Sequence, residues 1–200
     1  MKKLAIAVFA AIALSGCATA PTGPSNRGEW EQIHVRTYDG VTPRQAQDAA
    51  EKILKLADKD FKFEYPESGL VGSRKWMVYA AIVIAGGTDY WTIDTKQEGE
   101  ATRVTVRVTR NSGATTVAPV IGGPGVAPMV SSTPGIPVEQ ATPYRLFWER
   151  MDYSLGKRSD WTTCDTFKAR LKTEGVKARD RAHIDTLCAF NTDDKSPEAI

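Results

Sequence analysis

The sequence predicts an α+β domain in which an antiparallel sheet of about four to five strands is packed by two amphipathic helices, with a C-terminal disulfide-linked helical hairpin. Two patterns support this fold class. Between residues 61 and 108, apolar side chains recur at every second position in several stretches, which is typical of antiparallel strands with one face in water. Residues 43–57 and 143–155, on either side of these strands, have the spacing of amphipathic helices. Each helix needs a surface on which to bury its apolar face, and the sheet supplies it.

The first helix is predicted at residues 43–57, after a strand at residues 29–38. Thr42 has a side chain suited to the N-cap, Pro43 suits the first helical position, and Gln45 completes a capping box. Apolar residues, several of them alanines, then recur at helical spacing. Because alanine is small, we expect this helix to lie close to the sheet.

Three strands are predicted in the next part of the chain. Alternation predicts the first at residues 61–65, and a second can form at residues 70–75. Residues 76–85 are an uncharged apolar run, too short to cross a bilayer as a helix, and we expect Gly86 and Gly87 to end it. The run is compatible with a buried strand or a short buried helix, and its β-branched residues favour the strand.

A hairpin follows, formed by residues 88–96 and 103–108 and joined by a turn near Gly99. Valines at every second position make the second of these the clearest strand of the chain. Its polar positions indicate a wet face opposite the core.

This hairpin carries a possible recognition face. We expect Arg103, Arg107 and Arg110 to line one side of the second strand, with Tyr90 on the first. Tyr90, Arg103 and Arg107 are therefore a possible ligand or partner face. A solvated sheet face is the alternative explanation of the same residues, and it is the more common arrangement.

Residues 111–141 break the strand pattern. They are rich in Gly, Pro, Ser and Thr and contain one charged residue, Glu139. A loop of this length without regular structure is uncommon inside a compact domain. We interpret it as an unstructured insertion; because it contains several apolar residues, a mobile flap that contacts a partner or lipid is the alternative.

The second helix is predicted at residues 143–155, with Thr142 as its cap and its aromatic residues on one core-facing side. The α+β domain is thus predicted to span residues 29–156. Residues 157–190 then predict a helical hairpin, with acidic N-caps at Asp160 and Asp180. The polar tail at 191–200 is expected to fray.

The N-terminal residues have the parts of a secretory signal peptide. Two lysines are followed by the uncharged apolar residues 4–14, and small residues precede a cysteine in Leu14-Ser15-Gly16-Cys17. These four residues resemble the lipobox of bacterial lipoproteins. The resemblance implies cleavage before Cys17, a diacylglyceryl group on its Sγ, and palmitate or a similar acyl chain on the new amine. An ordinary secretion signal with an incidental cysteine is the alternative.

The resemblance also implies a location. Residues 1–16 are expected to be removed as the signal peptide, and residues 17–28 are rich enough in Pro, Gly and small polar residues to form a flexible tether. Two or more acyl chains attach a protein stably to a bilayer. Ala18 follows the lipidated cysteine, whereas aspartate at that place is the usual inner-membrane retention signal in lipoproteins of this kind. We therefore expect an outer-membrane lipoprotein that faces the periplasm.

Export favours a disulfide between the two remaining cysteines, Cys164 and Cys188. One lies near the start of the first predicted C-terminal helix and the other near the end of the second, so the two are close if these helices run antiparallel. A metal pair and a redox thiol are alternatives, but the chain has no Cys-x-x-Cys motif.

No catalytic or cofactor motif outweighs a structural explanation. His34 and His183 are the two histidines; neither belongs to a cluster with metal-ligand spacing, and both are expected to be surface or capping residues. Asp152, Asp160 and Asp165 are explained as a helix cap and solvated helix faces rather than as catalytic carboxylates. The sequence therefore predicts no catalytic residue, no metal site and no cofactor.

The net charge of the chain indicates which classes of partner it can attract. Without the two leader lysines, the 26 basic residues become 24, equal to the 24 acidic ones. A neutral chain argues against nucleic acid or anionic lipid as the main partner.

The expected function is therefore a non-enzymatic interaction or structural module that binds an envelope protein or component. A carrier of an apolar small molecule or lipid, with a cavity lined by residues such as Trp76, Trp91 and Trp148, is the first alternative, and an enzyme is the second. The element order loosely resembles helix-grip domains of some envelope lipoproteins, but element order alone implies no activity.

Overall fold

The structure, a computed structural model of the chain, describes residues 23–80, 83–116, 135–189, 192 and 194–197. The predicted signal peptide, Cys17 and much of the glycine- and proline-rich stretch lie outside these residues. The described residues form a six-stranded antiparallel sheet, five α-helices and a disulfide between Cys164 and Cys188. The predicted α+β fold class is confirmed.

The strands are β1 Val35–Asp39, β2 Lys62–Glu64, β3 Gly69–Ala80, β4 Val83–Glu98, β5 Ala101–Thr116 and β6 Ile136–Pro137. Their order in the sheet is β1-β5-β4-β3-β2, and β6 also pairs with β5. The predicted turn joins β4 to β5, and Gly99 there has a φ of 65°, a conformation that favours glycine.

The helices are α1 Arg27–His34, α2 Pro43–Ala57, α3 Ala141–Ser154, α4 Cys164–Thr173 and α5 Ala178–Ala182, followed by a 3₁₀ helix, His183–Thr186. Within the described ranges, none of these helices has both the length and the apolar character that a membrane crossing requires.

Helix α2 forms as its sequence predicts. Thr42 Oγ1 accepts a hydrogen bond from Gln45 N, and Gln45 Oε1 accepts one from Thr42 N, which completes the capping box. The helix lies so close to the sheet that a Cβ on Gly72 of β3 would come within 2.8 Å of Leu54 Cδ1. Glycine at position 72 therefore allows the close approach that the alanines of α2 also serve. The buried residues of α2 are Ala46, Ala49, Ala50, Ile53, Leu54 and Ala57.

Helix α3 adds an aromatic cluster to the same core. The Phe147 ring lies 5.2 Å from the ring of Trp91 on β4 and 5.3 Å from that of Trp148, measured between centroids. Trp148 Nε1 donates to Ile33 O at 2.7 Å. The aromatic residues on one side of α3 therefore belong to the core, as predicted.

The predicted strand at residues 29–38 is largely a helix. Helix α1 occupies most of it, and β1 begins only at Val35. The cause is Asn26, whose side chain accepts a hydrogen bond from Glu29 N and caps the helix. This cap outweighs the imperfect apolar alternation that suggested a strand.

The apolar run at residues 76–85 is not one strand but the ends of two. β3 continues to Ala80 and β4 begins at Val83, so Gly86 and Gly87 lie inside β4 rather than at its end. A uniformly apolar run contains no turn residues of the usual kind, and its division between two strands is therefore invisible in the sequence.

The stretch at residues 111–141 has more regular structure than expected. Residues 111–116 continue β5 because they pair with β4, residues 136–137 form β6, and α3 begins at Ala141. Residues 117–134 lie outside the described part of the chain. Thr142 does not cap α3, since it lies in the first turn and its Oγ1 donates to Asp180 O at 2.7 Å.

The C-terminal helices begin at other residues than predicted. Helix α4 has Thr163 as its N-cap, because Thr163 Oγ1 accepts a hydrogen bond from Thr166 N. Asp160 precedes the helix and pairs with Arg158 instead. Asp180 lies in the first turn of α5 and does not cap it.

The predicted disulfide is confirmed: the sulfur atoms of Cys164 and Cys188 are 2.05 Å apart and the Cα atoms 5.7 Å. The tail beside it is more fixed than expected. Asp194 accepts hydrogen bonds from Arg150 Nη2 at 2.6 Å and from Cys164 N at 2.5 Å, which ties the tail to the disulfide.

Candidate functional site

Three strands extend past the buried core at one end of the sheet. On the inner, helix-covered face, Trp91 and Val108 are 0% and 1% exposed, whereas Gly87 and Ser112, two rows further along, are partly exposed. We call this projecting end the arm. It consists of residues 75–80 of β3, 83–88 of β4 and 111–116 of β5.

A row of charged side chains crosses the sheet where the arm begins. The register pairs Arg74 of β3 with Asp89 of β4, and Asp89 with Arg110 of β5; we call these three residues the charged row. Arg74 Nη2 donates to Asp89 Oδ2 at 2.8 Å, and Arg110 donates to both carboxylate oxygens at 2.6 and 3.1 Å. The Arg74 and Asp89 side chains are 3% and 0% exposed, so this ion pair is shielded from water.

Two further aspartates place negative charge beside the two arginines of the charged row. The Asp185 carboxylate on the 3₁₀ helix accepts from Arg110 at 3.2 Å, and its backbone oxygen accepts from Arg74 at 3.3 Å. Asp58, at the end of α2, lies 3.8 Å from Arg74 Nη1. Burial disfavours the charge of Arg110, but hydrogen bonding and Coulombic attraction from Asp89 outweigh burial and raise the pKa of the guanidinium. Through Asp185, the charged row therefore joins the sheet to the C-terminal helices.

Trp76 lies directly on the arm side of the charged row. Its ring centroid is 5.2 Å from the guanidinium carbon of Arg110, a cation–π distance. A Cβ on Gly87 would come within 2.9 Å of Trp76 Cζ2 and 1.9 Å of Asn111 O. Glycine at position 87 therefore allows the indole to cross β4 at the base of the arm.

The rest of the arm hairpin is apolar in sequence. Residues 76–85 contain no charged residue. Met77, on the outer face, is 59% exposed. The exposed Met77 within this uncharged run makes the arm the candidate contact site.

The predicted recognition face occupies the outer face of the sheet. Tyr90 lies opposite Thr109 in the register, and Arg107 and Arg103 share the parity of Thr109 along β5. The three predicted residues therefore do share a face. The expectation that Arg110 lies beside them is wrong, because its parity is the opposite one and its side chain belongs to the charged row.

Both arginines of the predicted recognition face have acidic partners. Arg107 Nη2 lies 2.5 Å from Asp94 Oδ2, and Arg103 Nη2 lies 3.7 Å from Glu31 Oε1. These side chains are between 33% and 55% exposed. Such pairs are typical of a solvated sheet face, and we place the candidate site at the arm instead.

Asp89 escaped the sequence analysis, although a signal for it exists. It has the same parity in β4 as Trp91 and Ile93, and such alternation of apolar residues indicates the buried face of a strand. A carboxylate on a buried face needs a cationic partner. Its partners, Arg74 and Arg110, become identifiable only when the register of the strands is known.

The three tryptophans proposed for a carrier cavity do not come together. Trp91 and Trp148 both contact Phe147 in the core. Trp76 is separated from Trp91 by the pair of Arg74 and Asp89, which occupies the intervening row of the inner face. The charged row therefore divides the aromatic residues into two groups.

Two aromatic side chains form hydrogen bonds with the backbone of β5, on the edge between the parts that pair with β1 and β6. His34 Nδ1 donates to Val106 O at 2.8 Å, and Val108 N donates to the Tyr144 hydroxyl oxygen at 3.1 Å. His34 is 4% exposed, and its ring meets the Tyr144 ring edge-on at 4.2 Å. His34 is thus a buried structural residue and not the surface or capping histidine that we expected.

Acidification is expected to destabilise the fold through His34. Burial lowers its pKa, although the hydrogen bond to Val106 and the charge of Glu139 oppose this shift and Arg107 adds to it. The unfolded chain therefore binds a proton that the folded chain rejects, and stability present above pH 6.5 is lost as the pH falls below that value. At pH 5.5 the loss is at most about 1.4 kcal/mol for one histidine.

Thermal unfolding at pH 7.5 and 5.5 measures this effect. His34→Asn keeps an N–H donor at the Nδ1 position but does not titrate, so its melting temperature should fall less on acidification than that of the wild type. His183→Asn is the matched control for the second histidine, whose pKa burial also lowers. An equal pH dependence in His34→Asn and wild type would contradict the assignment.

A second buried cation, Arg150 of α3, organises the C-terminal segment. Its side chain is 0% exposed; Nε donates to Thr162 O at 3.1 Å and Nη2 to Asp194 Oδ1 at 2.6 Å. The guanidinium also lies 4.7 Å from the ring centroid of Trp161. Burial lowers the pKa of Arg150, while Asp194 opposes that shift.

Metal-binding groupings were sought as well. The described ranges contain no group of three or more His, Cys, Asp or Glu side chains arranged to hold a metal ion.

Comparisons with known proteins add no relative. No protein-family model matches the sequence, and the comparisons with curated proteins and with solved structures found no match.

Proposed function

We propose that this protein is a lipoprotein of the bacterial envelope that acts as a non-enzymatic interaction or structural module, with the arm as its contact surface. The observation that carries the proposal is the three-stranded arm, whose hairpin has no charged residue between positions 76 and 85 and bears the exposed Met77. Such a surface gains stability by contact with another molecule.

The lipobox resemblance supports the membrane attachment. Acylation of Cys17 would anchor the chain to the outer membrane, facing the periplasm, because Ala18 and not aspartate follows it. Arg27, where α1 begins, lies ten positions after Cys17. Fully extended, this segment spans roughly 35 Å, so the start of α1 would stay within about that distance of the membrane surface.

The side-chain geometry supports an interaction module more than the two alternatives. A carrier needs a common apolar cavity, but the charged row separates Trp76 from Trp91. An enzyme needs convergent polar groups that are free to react, whereas Asp89 is held by two arginines.

Site-specific photocrosslinking in intact cells tests the proposal. A benzoylphenylalanine placed at Met77 of the full-length chain is expected to capture an envelope protein or component. The matched control is position 65, because Tyr65 is similarly exposed, 54% against 59%, but lies outside the arm. Cys17→Ser is expected to leave the membrane fraction and to lose most of the crosslink.

Two results would contradict the proposal. Equal crosslinking at positions 65 and 77 would show that the arm is not the contact surface. A Cys17→Ser protein that stays fully in the membrane fraction would show that acylation of Cys17 is not the anchor.

A further inference from the structure

The two sulfur atoms of the disulfide lie in different surroundings. Cys164 is 6% exposed, whereas Cys188 is only partly buried. Cys188 also lines a groove of about 320 Å³ that α4, α5 and the 3₁₀ helix form together. A reagent from solution that enters this groove therefore reaches Cys188 before Cys164.

Cationic side chains surround the groove. Lys168 and Lys172 of α4 are exposed, and Arg181 of α5 is partly exposed. Ile184, which lines the same groove, is 3% exposed and belongs to its floor. The lining therefore combines three positive charges with an apolar floor beside Cys188.

The acidic residue of the groove does not cancel these charges. Asp185 lines it too, but its carboxylate already accepts a hydrogen bond from Arg110 of the charged row at 3.2 Å. Arg181 Nη1 donates to Val176 O at 2.9 Å, and a neutral carbonyl leaves the guanidinium charge in place. A positively charged cleft attracts anions, and the volume of this one suits a small molecule.

A buried cation lies beside the other sulfur. Arg150, whose side chain is 0% exposed, donates from Nη2 to Cys164 Sγ at 3.4 Å. Cys164 is also the first residue of α4, where the helix dipole favours negative charge. The nearby Asp194 carboxylate opposes a second negative charge, but it also holds Arg150 and Cys164 N in place. A thiolate formed at Cys164 would thus have a donor in position.

We propose that the disulfide is a thiol-exchange site, which a small anionic thiol opens at Cys188 with Cys164 as the leaving group. The external thiolate attacks Cys188 Sγ and forms a mixed disulfide with it. The bond between Cys164 and Cys188 breaks at the same time, and its electron pair passes to Cys164 Sγ.

A second molecule of the thiol completes the exchange. Its thiolate attacks the external sulfur of the mixed disulfide and releases Cys188. Two thiols are thereby oxidised to their disulfide, the cysteine pair is reduced, and the two protons pass through solvent from the thiols to the cysteines. This site goes beyond the proposed function, because neither the arm nor acylation of Cys17 takes part in it.

Thiols of different charge test the proposal on the full-length protein in detergent. The rate of reduction is measured with 3-mercaptopropionate, 2-mercaptoethanol and cysteamine, whose substituents are anionic, neutral and cationic. Each rate is divided by the rate of the same thiol with a small neutral disulfide, which corrects for intrinsic nucleophilicity. We expect the corrected rate to be at least about tenfold higher for the anionic than for the cationic thiol.

The double variant Lys168→Gln, Lys172→Gln is expected to lose most of this preference. Glutamine keeps a long polar side chain but removes the positive charge. Lys96→Gln is the matched control, because Lys96 is 77% exposed but lies on β4 and does not line the groove. It should react as the wild type does.

Peptide mapping identifies the sulfur that is attacked. The wild-type protein reacts briefly with 3-mercaptopropionate, the reaction is stopped with acid, and free thiols are blocked with N-ethylmaleimide. We expect the mixed disulfide on Cys188 and the maleimide on Cys164, in at least about fivefold excess over the reverse pattern.

Three results would overturn the proposal. The first is a mixed disulfide on Cys164, or on both cysteines equally. The second is a corrected rate that does not depend on the charge of the thiol. The third is reduction only through unfolding, seen as a rate proportional to the unfolded fraction in urea. Failure of the anchor has a different signature, since an unacylated Cys17 appears as its own labelled peptide in the same map.

Discussion

Replacing Asp89 with asparagine is expected to lower the free energy of unfolding by about 3 kcal/mol. The substitution keeps the shape of the side chain but removes the charge that Arg74 and Arg110 share, and Arg74 is only 3% exposed. Removing one partner of a buried ion pair is strongly destabilising because it leaves the other charge uncompensated. For a chain of this size the melting temperature should fall by roughly 6–12 °C.

Asp94→Asn is the matched control for Asp89→Asn. Asp94 is on the same strand, but its ion pair with Arg107 is on the outer face, with side chains 33% and 55% exposed. Exposed pairs contribute at most about 1 kcal/mol. Equal losses in the two variants, measured by urea unfolding, would contradict the structural role assigned to the charged row.

Replacing Arg150 with alanine is expected to cost roughly 3–5 kcal/mol and to loosen the C-terminal segment. The guanidinium is fully buried, and its removal leaves Asp194 Oδ1 and the Thr162 carbonyl oxygen without the donor that Arg150 supplies. It also removes the contact with the Trp161 ring. Urea unfolding measures the stability, and limited proteolysis of the tail measures the loosening.

Arg145→Ala is the control from the same helix. Arg145 pairs with Glu174 at 2.8 and 3.0 Å, but both side chains are more than a third exposed. Its loss should therefore stay below about 1 kcal/mol. If the tail of Arg150→Ala resists proteolysis as well as the tail of Arg145→Ala does, Arg150 does not hold the tail.

The charged row and Arg150 attach the same C-terminal unit to the domain at two places. Asp185 of the 3₁₀ helix joins the charged row at the base of the arm, and Asp194 joins Arg150 beside the disulfide. The base of the arm is therefore fixed by the sheet on one side and by the C-terminal helices on the other. A surface that binds a partner loses less conformational entropy when its base is held rigid before binding.

Local signals in the sequence predicted several elements correctly. The capping box of Thr42 and Gln45 marks the start of α2, and both of its hydrogen bonds form. Alternation along β5 assigned Val104, Val106 and Val108 to the core, where they are at most 1% exposed. These predictions succeeded because each depends on residues a few positions apart.

The errors arose where a distant partner decides the structure. Residues 111–116 look like loop but continue β5, because β4 offers them a pairing edge. Arg110 looked like a companion of Arg107, yet it lies on the opposite face and meets Asp89. The arm escaped prediction for the same reason, since an apolar run does not reveal where one strand ends and the next begins.

The sequence by itself determined the α+β class, the helix cap at Thr42, the core face of β5 and the disulfide, and it predicts the lipid anchor at Cys17. These depend on the spacing of apolar residues along the chain, on hydrogen bonds between residues a few positions apart, and on the number of cysteines. Only the tertiary structure decided that Arg74, Asp89 and Arg110 form one row and that the apolar run is divided between the ends of β3 and β4. Both depend on strand register, which is set by hydrogen bonds between residues far apart in the chain.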